Sequence, residues 1–288
     1  MKKLLLTGAS GFLGWNVFKA AQPDWQIHGI IHTSSFNTPD MIIHRLNLTG
    51  EFALKKLFRE INPDAVIHTA AVSDANYCQQ HPQETHSINV DATVLLAALC
   101  AERRIPFVFT SSDLVFDGKK GNYKETDEAN PVSKYGEQKA EAEKLVLKIY
   151  PEAAVCRMPL MVGDGGQAGR GYLNTFLAKT KNGEPQKLFT DEYRSPLGGI
   201  SAAKGLLHAL NNFKGVYHLG GKERLSRFEL GEKIASAFGI PKSQLVPAKQ
   251  SEMKMSAPRP ADVSLDSSKA FAAGFKPAMF GEELKENR

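Results

Sequence analysis

Tyr135 and Lys139 stand four residues apart, so on a helix they share one face and meet whatever that face covers. A phenol with its ordinary pKa of about 10 is too weak an acid for efficient proton transfer near neutrality, and a neighbouring ammonium favours the phenolate. Lys139 is therefore expected to tune Tyr135 as a group that moves a proton. Asn130-Pro131 just upstream reads as an N-cap followed by proline at the first helical position, which puts Tyr135 in the early turns. Gly136 weakens a helix interior by roughly 1 kcal/mol relative to alanine, which predicts that something approaches this surface closely.

Two further groups belong with this pair. The motif Thr7-Gly8-Ala9-Ser10-Gly11-Phe12-Leu13-Gly14 follows an apolar run at 4–6 and opens a helical stretch at 12–21. Glycines at such a strand-to-helix turn let the backbone approach a pyrophosphate, whose charge the free N–H groups and the positive helix end stabilise. The spacing is G-x-x-G-x-x-G, which differs from the G-x-G-x-x-G of ordinary dehydrogenases. The β-rich run Ile105-Pro106-Phe107-Val108-Phe109 delivers Thr110-Ser111-Ser112-Asp113 to its C-terminal end, where ligands bind in open parallel sheets. A hydroxyl there can donate to a carbonyl oxygen alongside the tyrosine.

The elements that must hold these groups alternate. Strand-like runs at 25–32, 41–46, 65–69, 107–110 and 154–158 are separated by helical stretches at 51–61, 82–104 and 131–149, the pattern of a doubly wound parallel sheet. After Met158 the pattern turns irregular, and Gly163-Asp164-Gly165-Gly166 with Gly169-Arg170-Gly171 predicts a mobile loop region. A helix at 201–210 and a strand at 216–219 return to the sheet before a helix at 228–238, which implies a discontinuous second domain. The 288 residues, 42% hydrophobic, suffice to fill such a core.

Composition narrows the function. No apolar run nears the ~20 residues of a membrane span, and the start of the chain is far short of a secretory h-region. Cys78, Cys100 and Cys156 lack zinc-ligand spacing and cannot all pair, which fits a reducing compartment, and the eight histidines form no ligand motif, so no metal is expected. The net charge of +5 comes from scattered lysines and arginines, which suits an anionic small molecule better than nucleic acid.

Together these motifs resemble the extended short-chain dehydrogenase/reductases from Lys2 to about Pro277. Within that superfamily Thr110-Ser111-Ser112-Asp113-Leu114-Val115-Phe116-Asp117-Gly118, Glu125-Thr126-Asp127, Asn130-Pro131 and Tyr135-Gly136 are similar to dTDP-4-dehydrorhamnose reductases. The resemblance implies an α/β fold: a Rossmann-type doubly wound parallel sheet (residues 1–160 plus about 197–221, NAD(P)-binding) with a smaller, discontinuous α+β substrate-binding domain (about 161–196 plus 222–288). It implies Tyr135 as proton donor, Ser112 as the catalytic hydroxyl, Lys139 as support for tyrosine and nicotinamide ribose, and Asn89 as the helix asparagine of the catalytic set. It places Gly8, Ser10, Gly11, Phe12, Leu13, Gly14, His32, Ser34, Asn47, Leu48, Ala70 and Ala71 on the cofactor, along with Tyr135 and Lys139. Ser111, Ser112 and Arg259, in Arg259-Pro260-Ala261-Asp262, are expected on the substrate, with Arg157 and Arg194 as lesser candidates.

At the end of the second strand, Ile31-His32-Thr33-Ser34-Ser35 holds no acid to bind a ribose 2′-OH. NADP(H) is therefore favoured, NAD(H) remaining open, although no arginine stands beside these residues in the sequence. The implied activity is reduction of a keto group on a nucleotide-linked sugar by a cytoplasmic enzyme, with homodimerisation an option. Dehydration is disfavoured because Asp113-Leu114 replaces the dehydratase Asp-Glu pair. Epimerisation stays open, as does a non-catalytic role like that of the methionine adenosyltransferase β subunit.

Overall fold

The computed structural model describes residues 1–22, 24–167, 169 and 171–285. Seven parallel strands form the central sheet: β1 (Lys2–Thr7), β2 (Trp25–Ile31), β3 (Ile42–Arg45), β4 (Ala65–His68), β5 (Phe107–Ser112), β6 (Ala154–Met158) and β7 (Gly215–His218). Their order is β7-β6-β5-β4-β1-β2-β3. The chain thus winds outward in both directions from the β1–β4 pair, and the crevice where the order reverses is where such sheets take ligands. The fold is the α/β, Rossmann-like one that the resemblance implied.

Both faces are covered. On one, α1 (Phe12–Ala21) and the later helix Gly199–Asn212 pack on Leu4, Leu6, Ile27 and Val108; on the other, α2 (Glu51–Ile61) and the long helices after β4 and β5 pack on Leu5, Val66, Phe107 and Phe109. After β4 come α3 (Ala75–Gln80), α4 (Pro82–His86), a π-helical turn (Ser87–Asp91) and α5 (Ala92–Arg103). The helix expected over 82–104 is therefore interrupted, and α3 precedes it. Next, α6 (Lys134–Ile149) begins at Ser133, whose Oγ accepts the Gly136 N–H at 3.3 Å. The expected cap at Asn130 is corrected: its amide donates to Asp117 instead, and Ser133 is the oxygen that reaches the first-turn amides.

A third cluster, with Val162, Phe176, Leu188, Leu230, Ile234 and Leu245, sits beyond the sheet. It gathers α7 (Tyr172–Lys181), the strand pair Gln186–Phe189 with Leu245–Ala248, and the helix Arg227–Phe238. Residues 161–198, irregular from sequence, also contain two-residue strands: Met161–Val162 pairs with Leu197–Gly198, and Tyr193–Arg194 with Leu225–Ser226. In the loop expected to be mobile, Asp164 is docked on α1 by Trp15 Nε1 at 2.9 Å and by Lys19. Arg170 of that loop lies outside the described residues.

Candidate active site

The glycine turn joins β1 to α1. Gly8 has φ +68°, and a Cβ there would lie 2.7 Å from the Ala70 backbone nitrogen. A Cβ on Gly14 would lie 2.2 Å from the Gly8 carbonyl oxygen, so only glycine lets α1 close on the turn. Gly11 starts α1 with no side chain capping it, which leaves the first-turn N–H groups able to receive an anion.

From this turn a series of linked clefts crosses the C-terminal edge of the sheet. The first, about 250 Å³, is lined by Gly8, Ser10, Gly11, His32, Asn47, Leu48, Ala70 and Ala71. The second, about 340 Å³, shares Gly8, Gly11 and Ala71 with it and adds Phe12, Leu13, Gly14, Ser111, Tyr135 and Lys139. The third, about 360 Å³, continues past Ser111, Ser112 and Tyr135 to Arg194, Arg227 and Arg259. The fourth, about 260 Å³, holds Lys179, Lys187, Arg227 and Arg259 among Tyr172, Phe176 and Phe189. Ser34, expected on the cofactor, does not line the first cleft, and its hydroxyl accepts the Phe36 N–H at 3.2 Å.

Ser112 ends β5, and its hydroxyl accepts the Leu114 N–H at 3.1 Å while donating to Asp113 Oδ1 at 3.2 Å. Tyr135 packs with Ala75, Cys78 and Ala257, and Lys139 Nζ lies 4.5 Å from the Phe109 ring centroid and 6.0 Å from that of Tyr135. Gly136 is needed because the Leu114 carbonyl oxygen would lie 2.2 Å from a Cβ, which is the close approach that its presence in a helix predicted.

The electrostatics correct one expectation. Burial raises the Tyr135 phenol above its ordinary value, and the Asp113 carboxylate adds to that. Burial also pushes Lys139 down to about 7, against the pull of Glu143. Desolvation thus outweighs any lowering of the phenol by Lys139: Tyr135 is a phenol held protonated, backed by an amine that titrates near neutrality.

Asn89 does not reach the clefts. Its Oδ1 accepts the Val72 N–H at 2.9 Å, and its Nδ2 donates to the Val72 carbonyl and to Gln138 Oε1 at 2.8 Å. It therefore ties the loop after β4 to α6, next to Lys139. Arg157 is likewise corrected: it is buried in a bidentate pair with Glu143, with N···O distances of 2.7–3.2 Å, and donates toward His218, away from the substrate cleft. In the motif of Arg259, Asp262 is held by Arg224, whose guanidinium stacks 3.6 Å from the Tyr193 ring centroid. No group of three or more His, Cys, Asp or Glu among the described residues could hold a metal ion.

The model of the RmlD substrate binding domain matches residues 1–287. The chain belongs to this family. A probable low-salt glycan biosynthesis reductase of Haloferax volcanii is 29% identical over 267 residues, covering 91% of this chain and 88% of the relative. Methionine adenosyltransferase 2 subunit beta of Xenopus laevis is 30% identical over 276 residues, covering 93% and 81%. The crystal structure of a dTDP-4-dehydrorhamnose reductase from Clostridium acetobutylicum superposes with a TM-score of 0.87 at 26% identity, covering 99% of this chain and 98% of that one.

At this RmlD-family site the sequence reading gave no role to Asp113, Arg45 or His68, while Arg194, one of its lesser substrate candidates, lines the third cleft. Asp113, 3% exposed, has its carboxyl pushed up to about 6 by burial, against the opposing charge of Arg194 and the Ser112 hydrogen bond. Arg194 Nε lies 3.7 Å from Asp113 and its Nη2 3.1 Å from Glu192. Arg45 Nη1 donates to the Ser34 carbonyl at 2.5 Å, so the arginine missing beside Ser34 in the sequence arrives from the end of β3. His68 joins Thr7 at 2.6 Å to Thr93 at 2.9 Å beneath the glycine turn. The available signal was the register of β2 and β3, which sets Ile31 opposite Arg45.

Proposed function

We propose that this RmlD-family chain is an NAD(P)H-dependent reductase of a keto group on a nucleotide-linked sugar, with NADP(H) preferred. The observation that carries the reading is the continuity of the clefts, from an uncapped helix N-terminus, past Tyr135 and Ser112, to a recess lined by arginines. The glycine cradle, closed to a Cβ at Gly8 and Gly14, fits a dinucleotide pyrophosphate. In the reading, residues 1–160 plus about 197–221 hold the cofactor, and 161–196 plus 222–288 hold the sugar nucleotide. The names of the Haloferax and Clostridium relatives support a reductase of this kind, and three buried free cysteines accord with a cytoplasmic setting.

A bound reduced nicotinamide supplies the hydride. Tyr135, protonated because it is buried, delivers its proton to the carbonyl oxygen as charge grows there. Ser112 turns its hydroxyl from Asp113 to that oxygen, Lys139 behind the tyrosine holds or yields a proton near neutrality, and Asn89 positions α6. Acid catalysis of this sort contributes about 10²–10⁴-fold. Arg259 is placed to bind phosphate oxygens with its fork, while His32 and Arg45, with no acid among residues 31–35, favour a 2′-phosphate.

The test follows NADPH and NADH oxidation with a panel of 4-keto-6-deoxy nucleotide sugars. Wild-type turnover that falls at least a hundredfold in Tyr135→Phe, with cofactor affinity retained, supports the reading; equal turnover in the variant rejects it. Arg45→Gln should weaken NADPH binding about tenfold through the loss of a charged hydrogen bond and leave NADH unchanged. A second reading, a regulatory subunit, is favoured by the 30% identity to methionine adenosyltransferase 2 subunit beta. Cofactor binding with no turnover on any sugar would select it, and a cofactor that stays bound through purification would point to an epimerase.

A further inference from the structure

The segment 254–259 has no helix or strand of its own, yet its middle is pressed into the cluster around Tyr135. Ala257 is 1% exposed and belongs to that apolar cluster with Ala75 and Cys78, while Ser256 and Pro258 on either side are exposed. Two side chains of α3 hold it there. Asn76 Oδ1 accepts the Ala257 N–H at 3.0 Å, and Gln80 Nε2 donates to Ser256 Oγ at 3.0 Å. The Gln80 bond lies in the open, where water competes for both partners. The Asn76 bond is partly buried, and among the described residues it is the only hydrogen bond made by the backbone of 254–259.

Arg259 follows two residues after Ala257 and lines both the third and the fourth cleft. Beyond it the chain is fixed again: the Tyr193 N–H donates to the Ala261 carbonyl at 2.7 Å and the Asp262 N–H to the Gly118 carbonyl at 3.0 Å. The stretch from Ala257 to Ala261 spans at most about 14 Å when fully extended, so with both ends tied Arg259 stays at the cleft wall. Without the Asn76 anchor, the arginine is tethered on one side alone. Ala257 meanwhile covers part of the Tyr135 surroundings, whose burial keeps the phenol protonated.

We propose that Asn76 is a positioning residue: by fastening Ala257 to α3 it lets one segment both shield Tyr135 from water and present Arg259 to the diphosphate of a sugar nucleotide. The inference rests on the reading of Arg259 as the residue that binds phosphate oxygens. Coupling of this kind is reciprocal, so a diphosphate held by Arg259 in turn tightens the Asn76–Ala257 bond over the tyrosine.

Titration calorimetry on the full chain saturated with NADP⁺, with thymidine and uridine diphosphate as probes, measures the first half of this coupling. Asn76→Ala is expected to bind the tighter diphosphate about three- to tenfold more weakly, the scale of one hydrogen bond, with NADP⁺ affinity unchanged. Asn76→Asp keeps an oxygen for the Ala257 N–H and should stay within about twofold of wild type. In an Arg259→Gln background the further loss on Asn76→Ala should fall below about twofold, because the first residue acts through the second. Hydrogen exchange on the wild type measures the other half: saturating diphosphate should slow the Ala257 amide at least about threefold. An Asn76→Ala variant that binds as tightly as wild type, an Asn76→Asp variant as weak as Asn76→Ala, or an undiminished loss in the Arg259→Gln background overturns the inference and leaves the sugar-nucleotide reading standing. Failure of both diphosphates to bind the wild type overturns that reading as well. The exchange measurement decides the matter where a variant does not fold, since an Ala257 amide indifferent to bound diphosphate overturns the inference by itself.

Discussion

Gly136 shows how a single atom decides between two effects at the residue scale. Replacing it by alanine adds about 1 kcal/mol of helix propensity, yet the new Cβ would sit 2.2 Å from the carbonyl oxygen of Leu114. That carbonyl belongs to the turn whose Leu114 N–H binds Ser112 Oγ, so it cannot retreat without moving the Ser112 hydroxyl. Gly136→Ala is expected to lower the thermal midpoint and to cut turnover at least tenfold, and a stabilised, fully active variant would refute the packing argument. The sequence made Tyr135, Lys139, Ser112 and the three glycines legible because their chemistry lies in local spacing. It hid Arg45 beside Ser34, and Arg194 beside Asp113, because those pairs are made by strand register and by a short strand from a distant segment. It also misjudged Tyr135 itself, since burial, which outweighs the neighbouring amine, is a property of the fold rather than of a four-residue spacing.

At the scale of elements, the π-helical turn Ser87–Asp91 and α6 are held in place by one amide. Asn89 satisfies both the N–H and the carbonyl of Val72 and anchors Gln138, which in turn donates to the Pro82 carbonyl and to Thr85. Asn89→Ala leaves buried partners unsatisfied at about 1–3 kcal/mol each. We expect a fall of about 2–4 kcal/mol in unfolding free energy by urea titration, with turnover lowered through kcat while NADP⁺ affinity holds; an unchanged stability would rule out this bracing role. The outlines of α1 and α2 were legible from the alternation of helical and strand-like runs, as was a helix after β4. The π turn within that helix was not, because what breaks its regularity is a set of hydrogen bonds to Val72 and α6. Nor were the strands in 161–198, since two residues are too few to show an alternating pattern.

For the whole molecule, acid stability turns on two buried histidines. His68, between Thr7 and Thr93, is pushed down to about 3 by burial, with Lys139 adding to it; His218 is pushed down to about 3 by burial and by Arg157. Unfolded, each takes a proton below its ordinary value of 6.5; folded, neither does until about pH 3. Stability therefore falls with pH across that window, by about 1.4 kcal/mol per pH unit for each proton. Asp113, raised to about 6, binds its proton earlier in the fold and works in the opposite sense between 6 and 3.8. Two histidines outweigh one carboxyl, so urea unfolding at pH 5 should give about 3 kcal/mol less stability than at pH 7; an equal or higher value at pH 5 would show that the histidines are not held neutral. The overall winding of the first six strands was legible from the alternation of runs, and so was the return of the chain to the sheet, expected at 216–219; what was hidden is which distant segments cover one another. β7 joins the sheet edge only at residues 215–218, and Val263 and Leu265 cover Val115, Phe116 and Tyr123. During synthesis, residues 1–160 therefore leave the ribosome with the β6 edge bare until residues 215–218 follow and an aromatic patch unshielded until residues 263–265 do, which makes this nascent chain a natural client for chaperones that shelter exposed apolar surface.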